Sequence, residues 1–363
     1  MENLQSRLKG TFQRMNDSGF DVLIVSSNAN IQYLFGHTLI TGDRLGVAVV
    51  TASGDRHIVL NEIFSDQIGQ ISNEKVHYYK DGENPLERVL ALIPMSSRVG
   101  IDKHLNIATF LQITSKRDDL KIRLSDCIER QREIKGIEEI NILRQSSRIT
   151  DSVMHQIGQL QHFPTTEREV VKTIRSFYES SGVHDLTFLP IIASGNNTAN
   201  PHHRAGDKFI EEHQPLLIDM GGKYNNYCSD MTRMFSFSKL HGKFLSHYDS
   251  LKEVQNDVLE IMKPGIELRE IDLFIRNRLE KRGLAQYFIH ATGHGIGLEA
   301  YEYPFINKEN KETLKEGMVV TIGPGLYFEG EFGIRLEDVV CVTETGCENL
   351  NKSPKELVTL EFQ

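Results

Sequence analysis

The stretch Pro215-Leu216-Leu217-Ile218-Asp219-Met220-Gly221-Gly222 is an apolar run that ends in a glycine turn, and Tyr227-Cys228-Ser229-Asp230-Met231-Thr232-Arg233 leads out of it. Two such runs around a short turn-forming segment read as a β-hairpin. With the turn centred on Tyr224-Asn225, Asp219 and Asp230 fall directly opposite each other. Directly opposed side chains lie about 4.5–5.5 Å apart, and like charges there destabilise the pair. Two aspartates so placed want a cation or a shared proton. The alternative is one buried, protonated aspartic acid beside one solvated carboxylate, and the segment alone leaves both readings open.

Further along the chain, His290-Ala291-Thr292-Gly293-His294-Gly295-Ile296-Gly297-Leu298 places glycines on both sides of His294. Glycine has no Cβ, so other groups can approach the imidazole closely, which suits a metal ligand as well as a hydrogen-bonded loop histidine. The run Gly333-Ile334-Arg335-Leu336-Glu337-Asp338-Val339-Val340 reads as a strand in which Arg335 and Glu337 share one face, either as a buried ion pair or as part of a site. The loop from Ala193-Ser194-Gly195-Asn196-Asn197 to Pro201-His202-His203 adds two histidines, which are either simply exposed or placed for proton transfer.

Around these segments the chain has 363 residues, with 41 Lys+Arg against 50 Asp+Glu, a net charge of -9 and 39% hydrophobic residues. At roughly 150 residues per domain this length predicts about two domains, each able to bury a core. No run approaches the roughly 20 apolar residues that cross a bilayer, and the first residues lack a basic segment followed by an apolar one. Cys127, Cys228, Cys341 and Cys347 form no CxxC pair, so reduced thiols in the cytoplasm are expected rather than a disulfide framework. The acidic balance, with no basic cluster interleaved with aromatics, argues against nucleic acid as a partner. A small molecule is the expected ligand.

The runs Asp21-Val22-Leu23-Ile24-Val25 and Leu45-Gly46-Val47-Ala48-Val49-Val50 alternate with helical patterns, which predicts an α/β layer at the start of the chain. Polar residues from Arg130 to Gly136 mark a domain boundary near residue 132. Beyond it, Ile149, Val153, Ile157 and Leu160 recur at helical spacing, Thr166-Glu167-Arg168-Glu169 opens a second helix, and Val254, Val258 and Met262 lie on a third that stops at Pro264-Gly265. Helices flanking strand-rich segments predict an α+β second half.

In this order, the segments resemble the creatinase/aminopeptidase P/prolidase family over nearly the whole chain. Ser27-Asn28-Ala29-Asn30-Ile31-Gln32-Tyr33-Leu34-Phe35-Gly36 is similar to part of that family's smaller domain. The resemblance implies a creatinase-like N-terminal domain at residues 1–132 and a pita-bread catalytic domain at 133–363. It further implies aspartate ligands at Asp219 and Asp230, a histidine ligand at His294, a bridging glutamate at Glu337, and a catalytic histidine at His202. The family's fifth ligand is a glutamate in a Thr-Ile-Glu-Pro-Gly segment, where this chain has Thr321-Ile322-Gly323-Pro324-Gly325. Its His-Glu-x-Pro segment is here Tyr301-Glu302-Tyr303-Pro304, so Tyr301, with a reference pKa near 10, stands where the peptidases place a proton partner. Glu299 and Glu302 lie nearby but are not ligands in the family pattern.

The implied cofactor is a divalent metal such as Mn, Co or Zn, as one or two ions. Asp219, Asp230 and Glu337 would hold one hard cation through oxygen, and His294 would serve a second, weaker position. The implied activity is that of an Xaa-Pro dipeptidase or aminopeptidase P, cutting before proline in short peptides, with Arg335 orienting Glu337. Two alternatives are a metal-free, creatinase-like hydrolase of a non-peptide C–N bond, with His202 as general acid/base, and a non-catalytic peptide-binding homologue. The family resemblance also implies a homodimer.

Overall fold

The computed structural model describes residues 2–68, 75–160, 162–163 and 165–360. The chain divides into two compact units, Met1–Arg132 and Glu133–Gln363. Among the described residues no helix is long and apolar enough to cross a membrane.

The first unit runs α1 (Glu2–Ser18), β1 (Val22–Val25), α2 (Asn28–Phe35), β2 (Val47–Thr51), β3 (Arg56–Asn61), β4 (Lys75–Tyr79), α3 (Pro85–Ala91), β5 (Arg98–Ile101), α4 (Ile107–Lys116), β6 (Lys121–Leu124) and α5 (Cys127–Arg132). Its six strands form one sheet in the order β4-β3-β2-β1-β5-β6. Strand β1 runs antiparallel to β2 and parallel to β5. All four residues of β1 are buried, as a short uninterrupted β-branched run requires when both faces are covered. Helix α2 begins where the Ser27 side chain accepts a hydrogen bond from the Asn30 amide, and it ends at Gly36 with φ 76°. A serine N-cap and a left-handed glycine are the ordinary stops for so short a helix.

The second unit continues with α6 (Ile137–Gly158), α7 (Glu167–Ser180), β7 (Ile191–Ser194), β8 (Pro215–Met220), β9 (Lys223–Tyr224), β10 (Tyr227–Cys228), β11 (Met231–Phe237), α8 (Lys243–Ile261) and α9 (Leu268–Glu280). It closes with β12 (Gly293–Gly295), β13 (Glu302–Ile306), β14 (Val319–Ile322), β15 (Gly325–Phe328), β16 (Phe332–Arg335), β17 (Asp338–Val342), β18 (Cys347–Asn349) and β19 (Val358–Leu360). One sheet has the order β19-β11-β8-β7 and another β13-β12-β14-β17-β18, while β15 and β16 form a separate ribbon. The mixture is α+β, as expected.

The period of two along β8 decides what each face of the first of these sheets sees. Leu216, Ile218 and Met220 pack with Val153, Ile157, Val170 and Ile174 of α6 and α7. Leu217 points the other way, joining Leu251, Val254 and Val258 of α8 and Val320, Ile322 and Val340 of the second sheet. Asp219 shares the parity of Leu217, so its carboxylate enters the space between the two layers. The Thr166 cap of α7 is a capping box with Glu169, where the sequence placed a helix start.

Two expectations are corrected here. The hairpin turns on Asn225-Asn226, whose φ values are 47° and 67°, because asparagine tolerates the left-handed region that a two-residue turn demands. The register therefore moves by two residues: Asp219 opposes Thr232 and Met220 opposes Met231. Asp219 and Asp230 are diagonal neighbours on one face rather than a directly opposed pair. The run Gly333–Val340 is likewise not one strand. It breaks at Leu336, so Arg335 ends the β15–β16 ribbon while Glu337 forms a bridge to Thr232 of β11.

Candidate active site and metal centre

The space between the two layers opens as a cavity of about 600 Å³ whose lining includes Asp219, Asp230, His202, His290, His294, Tyr301, Gly323, Arg335 and Glu337. Ligand atoms of Asp230, His294 and Glu337 all lie within 4.8 Å of one another. Asp219, expected with them as an oxygen ligand, lines the same cavity and lies close enough to Asp230 and Glu337 for their charges to act on it. It also accepts from Arg335, whose Nη2 donates to its Oδ2 at 2.6 Å. Arg335 places its Nε 3.9 Å from Glu337 Oε2, a longer ion pair than the one to Asp219. It donates to Thr232 Oγ1 at 3.2 Å, to the Pro201 carbonyl at 3.0 Å and to the Tyr327 hydroxyl at 2.9 Å. Burial works against its charge, but Tyr327, Asp219 and Glu337 together raise its pKa.

Burial raises the pKa of all three carboxyls, with Arg335 opposing the rise at Asp219 and at Glu337. Asp230 is pushed well up by burial and then by the charges of Glu337 and Asp219. Asp219 Oδ1 and Asp230 Oδ1 are buried oxygens with no hydrogen-bond partner. Such groups carry a desolvation penalty that a proton or a cation would relieve. The donor set, buried carboxylate oxygens plus one imidazole nitrogen, suits a divalent ion.

His294 is prepared for that role by its neighbours. Its Nδ1 lies 3.1 Å from the Gly295 carbonyl, which can only accept, so Nδ1 carries the proton and Nε2 is left for a ligand. Burial lowers its pKa and keeps it neutral. Glycines 293 and 295 serve a purpose other than clearance for the imidazole. A Cβ at Gly293 would strike the Thr321 carbonyl, and one at Gly295 the Tyr303 carbonyl. The glycines thus let two neighbouring backbones close on the strand that presents His294.

Gly323 explains how the site is built without a fifth side chain. A Cβ there would lie 2.5 Å from Glu337 Cδ and 2.6 Å from its Oε1. The carboxylate of Glu337 occupies the space that a side chain at 323 would take. Glu302 does not stand in as a ligand, because it is committed to Lys135 in a buried pair at 2.9 Å. Tyr301 lies with its ring centre 4.5 Å from that of His294, and the residue is 57% exposed.

His202 is exposed at the cavity, and its loop is tied down from beneath by Glu167. That buried carboxylate accepts from Ser194 N at 2.8 Å, Asn197 Nδ2 at 2.8 Å and Gly206 N at 3.2 Å, and it contacts His203 Nε2 at 2.8 Å. Burial alone would raise the Glu167 pKa, but the hydrogen bonds from Asn197, His203 and the backbone hold it below the ordinary value. His203 therefore fixes the loop, and only His202 reaches the cavity.

Several contributors received no role in the sequence reading. His290 Nδ1 donates to the Ala291 carbonyl at 2.8 Å, and its Nε2 accepts a hydrogen bond from the Tyr327 hydroxyl at 3.0 Å. Burial drives the His290 pKa down to about 4. Asp272 of α9 holds the same segment through Thr292 N at 3.2 Å and Thr292 Oγ1 at 2.8 Å. Thr232 bridges the two halves of the site, donating to Glu337 Oε2 at 3.4 Å while accepting from Arg335. The position of His290 in the glycine-rich segment was the one available signal. Asp272, Thr232 and Tyr327 carry none, since each gains its role from a distant segment.

An α+β unit that turns buried carboxylates and a neutral imidazole into one cavity has the layout of a metal-dependent hydrolase. The chain belongs to metallopeptidase family M24, whose model matches residues 141–344, and the creatinase/prolidase N-terminal domain matches residues 7–134. It is therefore a peptidase-family hydrolase with the pita-bread fold and a creatinase-like N-terminal domain. It is 31% identical over 361 residues to an Xaa-Pro dipeptidase of Pyrococcus horikoshii, covering 99% of this chain and 100% of the relative. The solved prolidase of Thermococcus sibiricus superposes with a TM-score of 0.94 at 30% identity, covering 99% of this chain and 100% of that one. An X-Pro aminopeptidase of Thermotoga maritima superposes with a TM-score of 0.87 at 27% identity, covering 97% and 99%.

Proposed function

We propose that this protein is a metal-dependent peptidase that cuts short peptides before proline and works with one divalent ion per chain. The observation that carries the ion count is the charge of the buried cluster. When all three are ionised, the carboxylates of Asp219, Asp230 and Glu337 face one guanidinium, Arg335, and a neutral His294. That leaves two formal negative charges, which one divalent cation neutralises. A second would leave the buried site with two positive charges, at a desolvation cost that charged groups in low dielectric do not recover without further ligands.

Asp230, His294 and Glu337 would hold the ion, and Asp219 lines the same cavity. When bound, such an ion polarises the scissile carbonyl and lowers the pKa of water toward about 7. The remaining tasks fall to the chain. Arg335 opposes the rise in the Asp219 pKa and fixes its carboxylate at 2.6 Å. Thr232 donates to Glu337 Oε2 and so fixes a carboxylate that would hold the ion. His202, exposed at the cavity, is placed to hydrogen-bond the substrate at its reacting carbonyl. Tyr327 and the neutral His290 hold Arg335 in place, and their own burial excludes water behind the site.

The test has two parts. Elemental analysis of protein incubated with Mn or Zn is expected to give about one ion per chain, and about two would overturn the single-ion reading. A panel of Xaa-Pro dipeptides and longer Xaa-Pro peptides is expected to be cleaved, with activity lost on chelation and restored by added cation. Turnover of a non-peptide C–N bond that survives exhaustive chelation would replace this reading with a metal-free hydrolase. Micromolar binding without turnover would replace it with a binding protein. We further propose a cytoplasmic homodimer on the strength of the family resemblance, which light scattering at twice the chain mass and cell fractionation would check.

A further inference from the structure

Resting on the metal-site reading above, we propose that the buried ion pair of Lys135 and Glu302 is a positioning device: it locks the loop from Gly295 to Glu302, and that loop fixes the His294 imidazole. The first observation is how the loop surrounds the ring. The Gly295 carbonyl lies 3.1 Å from Nδ1, the Ala300 carbonyl is a second backbone acceptor acting on the imidazole, and the Tyr301 ring centre stands 4.5 Å from that of His294. All three belong to one short connection between β12 and β13, so whatever sets the shape of that connection sets the ring.

The second observation is what fastens the loop. Its first half is held by backbone, since Ile296 donates to the Val319 carbonyl at 3.2 Å and the Gly297 carbonyl accepts from Cys228 at 2.7 Å. Its second half, which carries Ala300 and Tyr301, is fastened from inside by Glu302. One oxygen of that carboxylate accepts from the Glu299 amide at 3.2 Å, and the other accepts from Lys135 Nζ at 2.9 Å. A Cβ at Gly297 would strike the same carboxylate, so glycine there is what lets the two approach. Lys135 is itself anchored, because its amide donates to the Gly317 carbonyl at 2.9 Å beside the bridge between Ile134 and Met318. The lysine therefore ties the loop to the start of β14, the strand that pairs with β12. The two side chains are only 1% and 4% exposed. Desolvating two charges offsets most of their attraction, so such a pair adds little net stability, and what it contributes here is a fixed geometry.

The experiment compares the full wild-type chain with Lys135→Met, which keeps the stem and removes the charge, and with Glu302→Gln, which keeps the size. In chelator, nitrogen NMR of labelled histidines is expected to show His294 as a single tautomer protonated at Nδ1 in the wild-type protein and as a mixture of both tautomers in each variant. Loss of stability alone does not produce that change in a folded protein. Titration with Mn is expected to give a Kd higher by about tenfold or more in each variant, the size of effect that an outer partner of a metal ligand has. A His294 signal unchanged from wild type in a folded variant overturns the proposal, whatever the Kd. Where Lys135→Met does not fold, Glu302→Gln carries the same comparison. If the wild-type chain binds no Mn, the metal reading fails, while the tautomer comparison still decides whether the pair positions the ring.

Discussion

Replacing Gly323 by alanine tests the core of the proposed metal centre. The new Cβ would stand 2.5 Å from Glu337 Cδ and 2.8 Å from Oε2. Non-bonded carbons rest at about 3.5–4.0 Å, so the carboxylate must retreat by roughly 1 Å. Metal–ligand distances tolerate only about ±0.2 Å, and the retreat also strains the 3.4 Å hydrogen bond from Thr232. Disturbing even an outer partner of a ligand costs about 10–100-fold in metal affinity, and displacing the ligand itself costs at least as much. Overpacking would lower the stability of the metal-free protein by about 1–3 kcal/mol, so the quantity to read is the increment that metal adds. At an ion concentration near 100 times its Kd, the wild-type protein gains about 2.7 kcal/mol. After a 100-fold loss of affinity the same concentration gives about 0.4 kcal/mol. Urea unfolding of both proteins with Mn and with chelator measures the two increments. An unchanged increment in Gly323→Ala would show that the position of Glu337 beside Gly323 is not what makes the site.

Three further outcomes follow from the geometry. His290 has its pKa lowered from 6.5 to about 4 by burial, so the unfolded chain binds the extra proton first and stability falls as pH drops from about 6.5 toward 4. The loss amounts to about 3 kcal/mol at most, and unfolding in chelator at pH 7 and pH 5 should show His290→Asn with a flatter pH dependence; an unchanged slope would sink the idea. Arg335→Ala strands the buried Asp219 carboxylate that now sits 2.6 Å from the guanidinium, and should destabilise the chelated protein by about 3–5 kcal/mol, whereas a loss under about 1 kcal/mol would mean that the pair carries little net charge. Glu167→Ala leaves the Ser194 and Gly206 amides without their acceptor, at a cost of about 2 kcal/mol or more. Its released loop should also raise KM through misplacement of His202; wild-type kinetics in a folded variant would refute the anchoring role.

What could be read without coordinates was whatever depends on neighbours in sequence. The run Val22–Val25 and the Thr166 cap come from local rules of burial and capping, and each element forms where those rules put it, while the third helix ends at Ile261, before the Met262 and Pro264-Gly265 expected to close it. The hairpin around Asp219 was legible as a hairpin, but its register was not. Tyr224-Asn225 and Asn225-Asn226 are both acceptable turn centres by composition, and only the pairing of β8 with β11 selects the second. In the same way, the alternation of Gly333–Val340 hid a break at Leu336 that sends Arg335 and Glu337 into different strand systems.

The sequence by itself determined the family and the α+β fold, because motif order and residue type survive without coordinates. Tertiary structure alone decided which candidate side chains meet. It joined Arg335 to Asp219, brought Asp230, His294 and Glu337 together, and moved the Glu337 carboxylate into the space that Gly323 leaves open. The Arg335–Asp219 and Thr232–Glu337 contacts link residues 116 and 105 positions apart. A side chain's partner at that separation is set by which faces two sheets turn toward each other, and no local pattern in the chain records it.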